Sequence, residues 1–87
     1  MENETLGQEI GVIVDYYSKV NAAGIELKSG DIKIGDKIRV KGHTTDFEQV
    51  VESIQLDNRP VEEANRGDSI GIKIKDKARK GDKVYKI

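Results

Sequence analysis

The sequence predicts an all-β fold, a small closed antiparallel β-barrel of six or seven strands. Several segments alternate apolar and polar residues with a period of two, which is the pattern of half-buried strands. Three Gly-Asp steps each precede such a segment, at Gly35-Asp36, Gly67-Asp68 and Gly81-Asp82. Glycine supplies the positive φ of a tight turn and aspartate bonds nearby backbone, so each step ends one element and starts the next. Closure would remove the exposed edges that so small a sheet can hardly cover.

The first half of the chain contains three predicted strands. Residues 1–8 are polar and without a period, so we expect a flexible acidic leader before one barrel domain over residues 9–87. Alternation through Ile10, Val12, Val14 and Tyr16 predicts a strand to about residue 17, with these four side chains on one face. Residues 23–27 are the expected hairpin partner, with Gly24 on its outer face, and residues 37–41 form the third strand.

A longer fourth strand is predicted over residues 46–56. Phe47 and Val51 share one parity, whereas Ile54 and Leu56 share the other. This switch predicts a β-bulge near residues 52–53, a device that bends strands at barrel corners.

Turn residues then divide the rest of the chain. Asp57-Asn58-Arg59-Pro60 reads as a turn, and Pro60 excludes a central strand there. Residues 61–65 fit one helical turn or an irregular link. The last two strands are expected over residues 70–74, the clearest period-two run, and 84–87.

The composition excludes several classes of function. With 87 residues, the core is too small to enclose a cofactor together with a substrate pocket, so we expect no enzyme and no cofactor. No cysteine is present, which excludes disulfides, thiolate metal sites and a cysteine nucleophile. No phosphate-binding glycine loop occurs, so no nucleotide should bind. Without a spanning apolar run or a signal peptide, we expect a cytoplasmic protein that makes no membrane contact.

The net charge of -1 hides a polarised distribution, because residues 73–87 hold seven basic and two acidic residues, a local charge of +5. Two predicted strands carry basic outer faces, with Lys37, Arg39 and Lys41 on one and Lys73, Lys75 and Lys77 on the other. If these strands adjoin, they form a stripe that can follow a phosphate backbone, beside which an exposed Tyr16 or Tyr17 could stack on bases. The equal alternative is that the lysines solvate outer faces and discourage edge aggregation.

The single histidine lies in a candidate ligand loop formed by His43, Thr44 and Thr45. A histidine beside hydroxyls can bind a phosphate. The alternative is that these side chains satisfy backbone groups at a strand start. A metal site is not expected, because zinc sites usually have three or four protein ligands and no second histidine or cysteine exists.

The order of five short segments along the chain resembles that in the second domain of translational GTPases such as elongation factor Tu, a β-barrel of the translation-protein type. The segments that carry the resemblance are Ile32–Ile38, Val51–Ile54, Val61–Ala64, Arg66–Ile72 and Arg79–Asp82. The tract over residues 45–47 and the phrase over residues 59–64 are also similar to stand-alone translation elongation factor-like proteins and to the C-terminal barrel of collagenase-like peptidases. The resemblance covers residues 10–87.

These observations support two expectations about function. The first is a non-catalytic module that contacts RNA or a ribonucleoprotein, such as tRNA, rRNA or the ribosome, through the two basic strands. The second is a protein–protein interaction domain that works beside a peptidase or another enzyme. The first requires a contiguous basic face, whereas the second requires an exposed apolar patch.

Overall fold

In the computed structural model, which describes residues 7–87, ten β-strands form two antiparallel sheets. The strands are β1 (Gln8–Tyr17), β2 (Ala22–Leu27), β3 (Ile32–Lys33), β4 (Lys37–Lys41), β5 (Asp46–Val50), β6 (Ile54–Leu56), β7 (Arg59–Val61), β8 (Glu63–Ala64), β9 (Ser69–Lys73) and β10 (Lys83–Lys86). Residues 1–6 of the predicted leader lie outside the described residues. Residues 7–87 include no helix of the length and apolarity needed to cross a membrane.

The main sheet has eight strands in the order β5-β4-β10-β1-β2-β9-β6-β7, and β3 pairs with β8 separately. β5 is the first strand in this order and β6 the seventh, yet only residues 51–53 connect them. Four backbone steps span at most about 13 Å, so the sheet must curl until its two ends approach each other. Because β5 and β7 remain the ends of the order, the sheet is a strongly curled half-barrel. The all-β antiparallel prediction is confirmed, but closure and the count of six or seven strands are wrong.

The predicted fourth strand is divided at the corner of the sheet. β5 pairs with β4 and β6 pairs with β9, so each half follows a different neighbour. Phe47, Val51 and Ile54 are all buried despite their different parities. The switch of parity therefore marks a complete break of three residues, where we predicted a bulge within one strand.

A two-residue turn joins β6 to β7, so the turn predicted over residues 57–60 is confirmed for its first two residues, whereas Arg59 and Pro60 belong to β7. Asp57 and Asn58 have φ values of 54° and 63°, which is the backbone of a type I′ hairpin turn. Pro60 lies on β7, an end strand of the main sheet, where a missing N–H is tolerated. Residues 61–65 are neither helical nor an irregular link, because they contain the end of β7 and all of β8. Strands this short leave no measurable period in the sequence.

The Gly-Asp steps form three copies of one turn. Gly35, Gly67 and Gly81 have φ values of 99°, 97° and 93°, the conformation required at the third position of a type II turn. In each turn the aspartate carboxylate accepts a hydrogen bond from the backbone N–H three residues earlier, at 3.0, 2.8 and 2.8 Å. The backbone N–H of the same aspartate donates to the carbonyl of that earlier residue, at 3.1, 2.9 and 3.0 Å. The prediction that these steps are tight turns is confirmed.

Each turn is also docked onto a core residue by a reciprocal pair of backbone hydrogen bonds. The glycine N–H donates to a carbonyl, and the N–H of that same core residue donates to the aspartate carbonyl, at 2.8 to 2.9 Å. The core partners are Val51 for the first turn, Leu27 for the second and Ile13 for the third. All three partners are buried. The turns therefore hold the strand ends against the core as well as reversing the chain.

The core is aliphatic apart from Phe47, and β1 contributes to it with an irregular pattern of buried residues. The pairing of β1 shifts between Glu9 and Gly11 and again between Ile13 and Asp15. Ile13 is therefore buried and Val14 is exposed, so the predicted alternation that placed Val12 and Val14 on one face with Ile10 is wrong. The strands β2, β4 and β9 keep the predicted parity, with Ala23, Ile25, Leu27, Ile38, Val40, Ile70 and Ile72 buried.

Substitution of a turn glycine should destabilise the fold. A Cβ on Gly81 would meet no atom within 4 Å, so the cost of Gly81→Ala comes from the positive φ alone and should be about 1–2 kcal/mol. Gly71→Ala is the matched control, because Gly71 has open space but no positive φ. Urea unfolding of both variants measures the difference. Equal stability of the two variants would contradict the assignment of strain to the turn.

Candidate functional site

The two predicted basic faces do not adjoin. Three strands, β10, β1 and β2, separate β4 from β9 in the sheet. β9 ends at Lys73, so Lys75 and Lys77 follow the strand and do not belong to it. Curling brings the segment after β9 close to β5, whose Gln49 side chain bonds the backbone of Lys73 and Lys75. β5 therefore lies between the two sets of cations.

Carboxylates on β5 neutralise the basic face of β4. Arg39 donates from Nε and one terminal nitrogen to both oxygens of Asp46, at 2.9 and 3.0 Å. Lys41 Nζ lies 3.3 Å from the same carboxylate, and Lys37 Nζ lies 3.6 Å from Glu48. A bidentate pair of this kind occupies the donors that a phosphate would need. The predicted continuous cationic stripe is therefore absent from this face.

The candidate ligand loop connects β4 to β5. His43 and Thr44 are exposed, whereas Thr45 is buried with 6% of its surface accessible. The Thr45 carbonyl accepts a hydrogen bond from the Gly42 N–H at 2.8 Å, which tightens the turn. Within residues 7–87, no group of three His, Cys, Asp or Glu side chains is arranged to hold a metal ion. Binding of an anion by this loop stays a prediction.

A cavity of about 700 Å³ lies on the outer face of the sheet, across β1, β2, β9 and β6. We call it the outer groove. Its lining comprises an apolar wall, a small-residue floor and a polar wall, formed by Val14, Asp15, Tyr17, Val20, Ala22, Ala23, Gly24, Ser53, Gln55, Asp57, Asn58, Ser69, Ile70, Gly71, Ile72 and Lys73.

Two paired glycines create the floor of the outer groove. Gly24 of β2 lies opposite Gly71 of β9, and Gly71 also lies opposite Gln55 of β6. Neither glycine has a positive φ, so the backbone does not require them. A Cβ built on Gly71 would meet no atom closer than 3.9 Å. The depression in the sheet therefore results from the absence of side chains at these two positions, where the neighbouring atoms would leave room for a Cβ.

The apolar wall consists of side chains that the end of β1 and the following turn expose. Val14 is 38% exposed, Tyr17 53% and Val20 54%. The register shift after Ile13 turns Val14 outward, and Tyr16 packs against the core while Tyr17 faces solvent. The nearby negative charge of Asp15 raises the pKa of Tyr17, so the phenol stays neutral at physiological pH. Contiguous exposed apolar side chains mark sites of interaction.

The sequence indicated this groove only in part. Gly24 was predicted on an outer face, and the alternation required one of the two tyrosines to be exposed. Val14 was missed because uninterrupted alternation assigns it to the core, and Val20 because it falls in a turn. The opposition of Gly24 and Gly71 depends on the pairing of β2 with β9, which a local pattern does not specify.

Comparison with known proteins shows similarity to peptidases. No family model matches the chain. The chain is 46% identical over 78 residues to an uncharacterized protease of Methanocaldococcus jannaschii, covering 88% of this chain and 19% of that protein. It is 38% identical over 79 residues to a collagenase of Porphyromonas gingivalis, covering 90% of this chain and 22% of the collagenase. The chain thus spans about a fifth of the length of the curated relatives it matches.

A crystal structure shares the fold. It is the C-terminal domain of a Geobacillus thermoleovorans protein assigned to the U32 peptidases, with a TM-score of 0.84, 17% sequence identity, and coverage of 100% of this chain and 98% of that one. The selenomethionine form of the same domain gives the same TM-score over 90% of this chain. At this identity the likeness shows the fold alone.

The comparisons correct the predicted relationship to translation. The relatives are peptidases, so the resemblance to translational GTPases and to translation elongation factor-like proteins is wrong. The RNA-binding function predicted from the two basic strands is wrong as well, because these strands do not adjoin and the cations of β4 are paired with carboxylates. Glycine at the third position is a requirement of type II turns in general, and for that reason the Gly-Asp turns do not distinguish these families. The similarity to the C-terminal barrel of collagenase-like peptidases is supported.

The ion pair on β4 and β5 should be visible in a titration. The hydrogen bond from Arg39 holds the pKa of Asp46 below its ordinary value, so the pair stabilises the fold above about pH 4 and this contribution is lost as the pH falls through the lowered pKa. Replacing Arg39 by methionine should raise the pKa of Asp46, measured by carboxyl ¹³C NMR. The pKa of Asp31, lowered chiefly by its hydrogen bond from Lys86, is the internal control and should not move. An unchanged Asp46 titration would refute the pairing.

Proposed function

We propose that this chain is a non-catalytic protein-interaction domain that acts as an accessory to a peptidase, and that the outer groove is its contact surface. The observation that carries the proposal is the convergence of three exposed apolar side chains, Val14, Tyr17 and Val20, on one groove. An exposed apolar patch is what the protein-interaction hypothesis requires. Because the chain is similar to segments of a protease and a collagenase, we infer that its partner is a peptidase.

The chemistry of the groove favours binding over catalysis. Its lining contains Ser53 and Ser69 but neither histidine nor cysteine. A serine hydroxyl needs an adjacent base to become a nucleophile. The Asp15 carboxylate lies 3.9 Å from Lys80 and beside Tyr17, so it is already engaged in local interactions. We therefore assign the hydrolytic chemistry to the partner and recognition to this chain.

The three apolar side chains have the properties of interface anchors. Tyrosine is enriched among residues that dominate binding energy, and its hydroxyl can stay hydrated at the rim while the ring is buried. The polar wall across the groove, with Gln55 and Asn58, provides amides that can bond to the partner backbone. An apolar centre with a polar border is the usual anatomy of a specific interface.

A direct binding experiment tests this function. The M. jannaschii protease without its 78-residue matching segment should bind this chain in a one-to-one complex, as measured by isothermal titration calorimetry. Tyr17→Ala should weaken binding about 30-fold, the equivalent of about 2 kcal/mol for loss of an anchor. Ile34→Ala removes another exposed large apolar side chain, which lies outside the groove, and should leave the affinity unchanged. Absence of a complex, or equal effects of the two variants, would disprove the proposal.

A substitution that fills the outer groove should weaken binding of the partner without lowering the stability of the fold. Gly71→Val places a branched side chain in open space within a strand, so the free energy of unfolding should stay the same or rise by about 0.5–1 kcal/mol. Binding to the same protease fragment should fall at least about tenfold because the floor is occupied. Urea unfolding and calorimetry measure the two effects. A stable variant with unaltered affinity would show that the partner does not enter the groove.

A further inference from the structure

The free edge of β5 faces the segment Lys73–Lys75 across a gap that we call the seam. One side chain bridges it. Gln49 Nε2 donates to the Lys73 carbonyl at 2.8 Å, and Gln49 Oε1 accepts from the Lys75 N–H at 2.8 Å. The end strand β5 is thus joined to the end of β9 by a side-chain amide, where a closed barrel would have a backbone ladder.

The Gln49 amide reproduces the hydrogen bonds of a parallel strand. A residue paired in parallel with Ile74 would donate its N–H to the carbonyl of Lys73 and accept from the N–H of Lys75. Gln49 makes both of these bonds with one planar amide, whereas a strand residue would make them with the N–H and C=O on either side of its Cα, which are donor and acceptor groups of the same type. The edge at Lys73–Lys75 is therefore already arranged to pair with an extended backbone.

The seam also has space beside the edge. A cavity of about 420 Å³ adjoins it, lined by Gln49, Val50, Glu52, Lys73, Ile74 and Lys75. Val50 is 48% exposed, whereas Ile74 is buried. An extended segment lying here would cover Val50 with one of its apolar side chains.

The charged residues around the seam indicate which side chains such a segment carries. Among the described residues, Lys73, Lys75 and Lys77 make no ion pair within 4 Å, in contrast to the paired cations of β4. Only one carboxylate, that of Glu52, is present in the cavity lining. These lysines, which have no ion-pair partner among residues 7–87, favour acidic side chains in a bound segment.

We propose that the seam binds an extended acidic segment of a partner protein by strand addition. The segment takes the place of the Gln49 amide on the edge at Lys73–Lys75, and its carboxylates pair with Lys73 and Lys75. Strand addition to an exposed sheet edge gains affinity from backbone hydrogen bonds and specificity from the side chains. The opposite end strand, β7, is unsuited to this role because Pro60 lacks an N–H. This site shares Lys73 with the lining of the outer groove, but its hydrogen bonds and its other lining residues are its own.

The probe is a blocked hexapeptide of alternating valine and glutamate, titrated into the ¹⁵N-labelled chain and followed by NMR. The amide of Lys75 and the side-chain amide of Gln49 should shift. Gln49→Ala should bind the peptide about threefold to tenfold more tightly, because it removes the internal competitor for the edge. Lys75→Glu should weaken binding about tenfold, and Lys28→Glu, an equal charge change outside the seam, should not.

Several results would overturn the proposal. They are a peptide that causes no shift at millimolar concentration, an alternating valine and lysine peptide that binds equally well, and weaker binding to Gln49→Ala. Shifts confined to Tyr17, Gly24 and Gly71 would assign the peptide to the outer groove instead. Lys75→Glu keeps the test decisive if Gln49→Ala fails to fold, since Lys75 Nζ makes no ion pair within the described residues.

Discussion

The reciprocal backbone hydrogen bonds between each Gly-Asp turn and one buried residue are the constraint on which this small fold depends. Three turns use the same four-residue geometry and dock onto Val51, Leu27 and Ile13. Buried backbone groups must be paired, and a curled sheet of short strands leaves many of them at its corners. The turns pair those groups without adding a strand. Asp82 shows how closely they pack, because its carboxylate is almost buried and lies over Gly42.

The curl of the sheet follows from the docked turns and from one short connection. The first turn bonds Val51 within the three residues between β5 and β6, so the chain is held at the point where it passes from one end of the sheet to the other. Apolar strands then face inward around a single aliphatic core. Because the strands do not complete a ladder between β5 and β9, the Gln49 side chain satisfies the backbone groups at that position.

A feature of this fold could be predicted from the sequence when it is determined by residues that are close together in the chain. The turn glycines and the buried faces of β4 and β9 are determined by residues close in sequence, and pattern alone identified them. The turn predicted over residues 57–60 was identified at Asp57 and Asn58, but the hairpin that it forms with β7 was not. The neutralisation of Arg39 by Asp46 depends on the register of β4 with β5. The exposure of Val14 depends on a bulge induced by pairing with β2. Such features need the tertiary partner, and for that reason the basic face was overestimated and the apolar wall was missed.

Both proposed binding surfaces lie where the regular sheet is interrupted, and this has a physical cause. A regular strand that is paired on both sides saturates its hydrogen bonds and presents alternating side chains, which leaves neither a depression nor a spare backbone edge. The outer groove exists because two glycines oppose each other next to a register shift in β1. The seam exists because the side chain of Gln49, and not a backbone ladder, bridges β5 and the end of β9. The docked turns hold the core together independently of both places, so a partner at the outer groove breaks no internal hydrogen bond and a partner at the seam displaces only those of Gln49.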